Sequence, residues 1–144
     1  MKDTFDLLLN TDFPPIKRSV LETLQVNLGY LCNQQCLHCH VDAGPRRKEV
    51  MTAETIADVL NFIKSKNIKT LDLTGGAPEM NPGFFSLVEQ ARAAGVHVID
   101  RCNLTVLLEP GFEGVASFLA ENRVEVVASM PCYLEENVDA QRGK

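Results

Sequence analysis

The feature that most constrains this chain is a regular alternation of strand-like and helix-like apolar patterns. Apolar residues recur with a period of two at residues 24–28 and 70–74, which predicts two strands. Between them lies an apolar stripe at helical spacing, which begins behind Thr52, a residue type that caps helices, and ends near Lys66. Such alternation is typical of parallel βαβ units, so we expect an α/β fold.

A second helix and a third strand follow. Asn81 and Pro82 predict the start of the helix, as a capping residue followed by proline at the first helical position, and Gly95 predicts its end. Its predicted buried stripe consists of Phe84, Leu87, Val88 and Ala91. Residues 96–100 then predict the third strand.

The last elements are a short helix and a fourth strand. Val115, Phe118 and Leu119 mark the helix, and the apolar, β-branched run at 124–128 is typical of a strand buried on both faces. With four strands and no closing element, the chain looks cut short. We expect an unpaired edge at the fourth strand, which favours self-association.

Length and charge limit the domain count and the partners. A chain of 144 residues suits one domain, which we place at residues 21–144. Residues 1–20 form a lead-in in which we expect no regular helix or strand, because prolines interrupt it. The net charge of −5 argues against a nucleic-acid surface, and the basic run at 46–48 is expected to be a solvated loop. No signal peptide or membrane span is visible, so we expect a cytoplasmic protein that binds neither nucleic acid nor membrane.

Three cysteines stand close together directly after the first predicted strand. Cys32, Cys36 and Cys39 have the spacing C-x3-C-x2-C, which suits a metal site better than a disulfide framework. Thiolates favour iron–sulfur clusters, zinc or copper(I). A structural zinc site needs a fourth ligand, which His38 or His40 could supply, so the residues alone leave the metal open.

A glycine-rich turn closes the second predicted strand. It reads Gly75-Gly76-Ala77-Pro78-Glu79. Glycines let a backbone approach a ligand closely, carbonyl groups accept hydrogen bonds from an ammonium group, and Glu79 offers a carboxylate. Standing alone, such a turn is more often a plain connection between a strand and a helix.

The cysteine motif and the glycine-rich turn, in this order, resemble the radical S-adenosylmethionine (SAM) superfamily. The resemblance implies a [4Fe-4S] cluster held by Cys32, Cys36 and Cys39, with one iron open to SAM. It also implies that residues 75–79 act as the GGEP motif, which holds the methionine amino group of SAM, although Ala77 moves the glutamate one position later. The implied fold is a partial TIM-like (βα) barrel, truncated after about four strands.

Further implied contacts lie at the ends of later strands, where βα barrels gather their active sites. Asn103 follows the third strand and Ser129 ends the fourth, at positions where the superfamily often places polar residues near SAM. The planar guanidinium of Arg101 suits the cofactor carboxylate, and a structural salt bridge is its other reading.

Segments 71–79, 98–105 and 129–133 are similar to a narrower group, the arsenosugar-biosynthesis radical SAM proteins called ArsS. Its members are longer, which implies that this chain is a fragment. The implied reaction joins a 5′-deoxyadenosyl radical, formed by reductive cleavage of SAM, to a methylated trivalent arsenical. An external donor such as flavodoxin or ferredoxin would supply the electron.

Several alternatives stay open. Cys102 and Cys132 would face an arsenic substrate, or they are simply small buried cysteines. The substrate of a radical SAM enzyme could instead be a peptide or a nucleoside. A zinc-stabilised binding module without catalytic activity is the hypothesis from a different class.

Overall fold

The computed structural model describes residues 5–9, 11–14, 17 and 19–129 and confirms the α/β fold. Four strands form one parallel sheet in the order β1-β2-β3-β4. The strands are β1 Thr23–Asn27, β2 Thr70–Thr74, β3 His97–Asp100 and β4 Glu125–Val126. The helices are α1 Phe5–Leu8, α2 Ala53–Lys66, α3 Phe84–Ala93 and α4 Val115–Glu121, and two 3-10 helices span Pro78–Met80 and Thr105–Leu108.

The core lies between the helices and one face of the sheet. In the parallel register, Leu24 of β1 pairs with Leu71 of β2, and Val26 pairs with Leu73. Alternate residues of a strand point to the same face, so these apolar residues line one side of the sheet. The buried residues that pack there from the helices include Ile56, Leu60, Ile63, Phe84, Leu87, Val88, Ala91, Val115 and Leu119.

Helix α2 has the predicted bounds because both ends are capped locally. The Thr52 hydroxyl accepts a hydrogen bond from the Thr55 amide at 3.3 Å. Asn67 ends the helix in the left-handed conformation, with φ of 54°. The Thr52 cap predicted from the sequence is therefore confirmed.

Helix α3 begins at Phe84, so the predicted start at Pro82 is wrong. The Asn81 side chain is 3% exposed and is used elsewhere: it donates hydrogen bonds of 3.0 Å to the carbonyl oxygens of Leu28 and Met51. Its carbonyl oxygen accepts from the Gly83 amide at 2.8 Å. Asn81 thus joins the loop after β1 and the loop before α2 to the start of α3. The predicted buried stripe of α3 is confirmed.

Strand β4 also departs from the prediction. It has two residues, and the valines of the apolar run are substantially exposed, Val126 at 42% and Val127 at 38%. The apolar sequence reflects strand propensity, but burial on both faces needs packed neighbours, and the described residues supply only β3. As predicted, β4 is the edge of the described sheet, and self-association through it stays a prediction.

The lead-in contains the one-turn helix α1, where the sequence predicted no regular element. Its residues Leu7 and Leu8 are 67% and 42% exposed. The boundary between lead-in and domain near residue 20 stays a prediction. Among the described residues, no helix combines the length and hydrophobicity needed to cross a bilayer.

Candidate functional site

A cavity of about 240 Å³ lies beyond the C-terminal ends of the strands. Most of the residues predicted for the site line it: Cys32, Cys36, Cys39, Gly75, Gly76, Arg101, Asn103 and Ser129. His38 and His40 line it too, whereas Ala77, Pro78 and Glu79 are buried and do not. The fold therefore brings the cysteine motif and three strand ends to one place.

The loop that carries the cysteines is held by the segment that follows it. Tyr30 donates its amide to the Glu49 carbonyl at 2.8 Å, and Gly29 forms an antiparallel bridge with Val50. Farther out, the Cys32 amide bonds the Gly44 carbonyl at 3.3 Å. Because the returning segment pairs with the loop in this way, the loop is ordered without belonging to the main sheet.

The sulfur atoms of Cys32 and Cys39 accept backbone hydrogen bonds. The Gln34 amide lies 3.4 Å from Cys32 Sγ, and the Ala43 amide lies 3.3 Å from Cys39 Sγ. Burial raises the pKa of the Cys32 thiol, with a smaller contribution from Cys36. A bound metal would reverse this effect, because a coordinating thiol loses its proton, and the amides would then stabilise the thiolates.

The glycine-rich turn packs directly against this loop. The Gly76 amide donates to the Gly29 carbonyl, and the Ala77 amide donates to the Leu31 carbonyl, each at 2.9 Å. A Cβ atom at Gly76 would lie 2.8 Å from the Leu31 carbonyl carbon and 2.9 Å from Cys32 Cβ, too close for any side chain. The absence of a side chain at Gly76 is therefore what lets the two motifs meet.

A polar network joins the cysteine loop to the 3-10 helix Thr105–Leu108. The Asn103 amide group donates to Cys32 Sγ at 3.5 Å and to Asn33 Oδ1 at 3.0 Å. Asn33 in turn donates to Thr105 Oγ1 at 2.9 Å and to Glu109 at 3.0 Å. Sequence reasoning missed Asn33, for which the only signal was its position inside the cysteine motif.

Arg101 forms a bidentate ion pair with Asp72 of β2. Its Nε and one terminal nitrogen each lie 2.8 Å from a carboxylate oxygen, and Gln25 donates to the same carboxylate at 2.9 Å. The guanidinium lowers the pKa of Asp72, and Asp72 raises the pKa of Arg101. The structural salt bridge predicted as one reading of Arg101 exists, while its side chain, 45% exposed, still lines the cavity.

A second cluster of reactive side chains lies outside the cavity. Glu79, Asp100 and Cys102 are 2%, 0% and 0% exposed, and one ligand atom of each lies within 4.8 Å of the others. Burial, followed by the nearby Glu79, raises the pKa of Asp100 to about 8. Burial also raises the pKa of Cys102. Cys102 is thus a buried cysteine, as one of the two readings predicted, and Cys132 lies outside the described residues.

Known proteins match most of the chain. Residues 26–131 match the family described as the Radical SAM superfamily. The mycofactocin maturase MftC of Mycobacterium ulcerans is 30% identical over 116 residues, which cover 81% of this chain and 31% of that protein. The probable GTP 3′,8-cyclase of Methanothermobacter marburgensis is 28% identical over 92 residues, covering 64% and 30%.

The fold is also similar to a solved structure. The crystal structure of Streptococcus suis SuiB superimposes with a TM-score of 0.67 at 16% identity, over 86% of this chain and 28% of that one. The chain thus spans about 31% of the length of MftC and 28% of the SuiB chain. Because the family match extends from β1 past the end of β4, and includes the cysteine loop and the glycine-rich turn, this chain belongs to the radical SAM superfamily.

Proposed function

We propose that this chain is the part of a radical SAM enzyme that holds a [4Fe-4S] cluster through Cys32, Cys36 and Cys39. The observation that carries the proposal is the shared cavity, because all three sulfur-bearing residues line it together with Gly75 and Gly76. Three thiolates occupy three irons of a four-iron cluster, and the fourth stays open.

The residues that line the cavity fit both a [4Fe-4S] cluster and SAM. The donor set is all sulfur, as iron–sulfur clusters require, and two of the thiols already face backbone amides. At Gly76 the missing side chain leaves the turn in contact with the cysteine loop, so a ligand on the turn lies beside the cluster ligands. When bound, the cluster supplies the electron that cleaves SAM to the 5′-deoxyadenosyl radical; the protein supplies position and shelter.

We infer the SAM contacts from the cavity lining. The backbone carbonyl groups of Gly75 and Gly76 would accept hydrogen bonds from the SAM ammonium, and Arg101 would pair with the carboxylate. Asp72 accepts two hydrogen bonds from the Arg101 guanidinium, so it would orient that contact. Asn103 and Ser129 supply further polar groups at the rim. The Glu79 carboxylate lies beside Asp100 instead of lining the cavity, and we assign it no SAM contact.

An external donor, such as flavodoxin or ferredoxin, is the proposed source of the electron. The cysteine loop reaches the surface: Leu37, between two of the cysteines, is 85% exposed, and His38 and His40 are exposed as well. A partner can therefore approach the cluster ligands without a change in the fold.

For the substrate we propose a methylated trivalent arsenical, which rests on the sequence similarity to the arsenosugar group. The two relatives are named for different activities, as a mycofactocin maturase and a probable GTP 3′,8-cyclase, so they favour no single substrate. Incubating the reduced, cluster-loaded chain with SAM and dimethylarsinous acid tests it. A product with a new carbon–arsenic bond supports the substrate proposal. Formation of 5′-deoxyadenosine without any such product contradicts it for this chain.

Reconstitution with iron and sulfide tests the cluster. We expect about four iron atoms per chain and a broad visible absorption, both lost in Cys32→Ser, Cys36→Ser and Cys39→Ser. The variants His38→Ala and His40→Ala should keep the cluster, because a three-cysteine cluster site needs no histidine. Colourless wild-type protein that holds zinc, and loses it in a histidine variant, would instead support the zinc-stabilised module.

A further inference from the structure

We propose a second metal site in this chain, a buried Zn²⁺ site formed by Glu79, Asp100 and Cys102. The three side chains come from two parts of the chain that the parallel register brings together. Glu79 lies in the 3-10 helix Pro78–Met80 after β2, whereas Asp100 ends β3 and Cys102 follows it. None of them lines the cavity of the cluster cysteines, so the proposed site is separate from it.

The two carboxylates of the proposed site are buried. Glu79 is 2% exposed and Asp100 is fully buried, and their four carboxylate oxygens have no hydrogen-bond partner outside this cluster among the described residues, while Glu79 lies close enough to hydrogen-bond Asp100 and Cys102. Buried polar groups in native proteins are nearly always satisfied, and an unpaired buried carboxylate is costly. Asp72 shows how this chain treats such a group elsewhere, because it is 6% exposed and bonds both Arg101 and Gln25.

The Cys102 sulfur faces a backbone amide. The Leu104 amide donates to Cys102 Sγ at 3.2 Å, which is the arrangement found at the cluster ligands Cys32 and Cys39. Such an amide stabilises a thiolate, the form that binds metals. Leu104 has a positive backbone φ of 61°, a conformation that costs free energy in a residue with a side chain.

The ligand set selects the class of metal. One thiolate and two carboxylates are all ligands of zinc, whereas calcium and magnesium bind oxygen and avoid sulfur. Ligand atoms around one zinc ion stand roughly 3.5 Å apart, given metal–ligand distances of about 2.0–2.3 Å. The three atoms here lie within 4.8 Å of one another, so small side-chain rotations bring them to the ion. A water molecule or a bidentate carboxylate would complete four-coordination.

Zinc bound here would fix the glycine-rich turn to the end of β3. Both of these segments also supply residues to the cavity, Gly75 and Gly76 from one side and Arg101 and Asn103 from the other. The proposed ion is therefore structural, and its consequence would be a more rigid SAM cavity.

The test is zinc analysis of the cluster-loaded chain, in which the iron–sulfur ligands are occupied. After equilibration with Zn²⁺ and removal of loose metal, we expect about one zinc ion per chain in the wild type and none in Asp100→Asn or Glu79→Gln. Asp72→Asn is the matched control, because it removes a buried carboxylate from the adjacent strand and should leave the zinc in place. Both site variants remove a buried charge, so they should fold without metal.

A second measurement separates this site from zinc held by the cluster cysteines. With Co²⁺ in place of Zn²⁺, a variant with serine at Cys32, Cys36 and Cys39 should keep the thiolate-to-cobalt absorption band. Adding Cys102→Ser to this variant should abolish the band. Retention of zinc in Asp100→Asn would overturn the proposal, because the ion would then be held by other residues. Absence of zinc from the wild type would overturn it as well and would indicate that the two carboxylates share a proton. Neither result depends on whether SAM binds.

Discussion

Replacement of Gly76 by alanine tests whether contact between the turn and the cysteine loop builds the site. The added Cβ would lie 2.8 Å from the Leu31 carbonyl carbon, whereas carbon atoms in contact stand about 3.5–4.0 Å apart. The backbone must therefore open by about 0.7 Å or more. This movement strains the hydrogen bond between the Ala77 amide and the Leu31 carbonyl, which is 2.9 Å long.

The expected cost follows from the rigidity of the obstacle. The three nearest atoms are the carbonyl oxygen and carbon of Leu31 and the Cβ of Cys32, and none of them can rotate away as the end of a flexible side chain would. Overpacking of this kind costs about 1–3 kcal/mol in the free energy of unfolding. The same displacement separates the turn from the cysteines, and a loss of 1.4 kcal/mol corresponds to a tenfold change in affinity. We expect SAM to bind about tenfold more weakly or worse.

Two measurements and one control decide the matter. Urea unfolding of the metal-free chain gives the stability, and equilibrium dialysis of the cluster-loaded chain gives the SAM affinity. Gly114→Ala is the matched control, because a Cβ there meets nothing within 4 Å and its φ is −86°. It should change stability by less than about 0.5 kcal/mol and leave SAM binding unchanged. If Gly76→Ala matches Gly114→Ala in both assays, the contact does not build the site.

The remaining predictions concern three polar side chains. Asn81→Ala should lower the free energy of unfolding by about 2–4 kcal/mol in a urea titration, because it leaves two carbonyl groups and one amide without their partner. The control Asn122→Ala removes one half-buried hydrogen bond and should lower it by less than about 1 kcal/mol. Arg101 holds the pKa of Asp72 below its usual 3.8 in the folded chain, so the ion pair stabilises the fold above that pH, and this is lost as the pH falls through the lowered pKa. Because Arg101 is half-exposed, the effect should be below about 1 kcal/mol; unfolding of Asp72→Asn across the acid range should lack it, and an unchanged pH profile would contradict the assignment. Asn103→Ala should make the reduction potential of the cluster more negative in a redox titration, since it removes a hydrogen bond to Cys32 Sγ, and an unchanged potential would argue against that bond.

Local signals in the sequence were enough for the elements that are determined locally. Helix α2 has its cap at Thr52, and β2 has its period of two, so both were predicted with their observed bounds. Helix α3 was placed too early because Asn81 and Pro82 carry a local capping signal. The Asn81 amide is instead recruited by carbonyl groups distant in sequence, such as that of Leu28.

Features that depend on strand register could not be predicted in this way. Asp72 pairs with Ile99 in the parallel ladder, so residue 101, two positions farther along, lies on the same face and meets the carboxylate. The approach of Glu79 to Asp100 depends on the same register and on the turn between them. The cysteine loop was predicted as a metal site because its three cysteines lie close together in the sequence, and the identity of the metal stays a prediction.

The most direct test of the cluster and SAM assignment is the EPR spectrum of the reduced, reconstituted chain, recorded anaerobically with and without SAM. We predict a [4Fe-4S] signal whose g values shift when SAM is added, because the cofactor would bind at the iron that Cys32, Cys36 and Cys39 leave open. A cluster signal that ignores SAM, or no cluster signal at all, would contradict the assignment of this cavity.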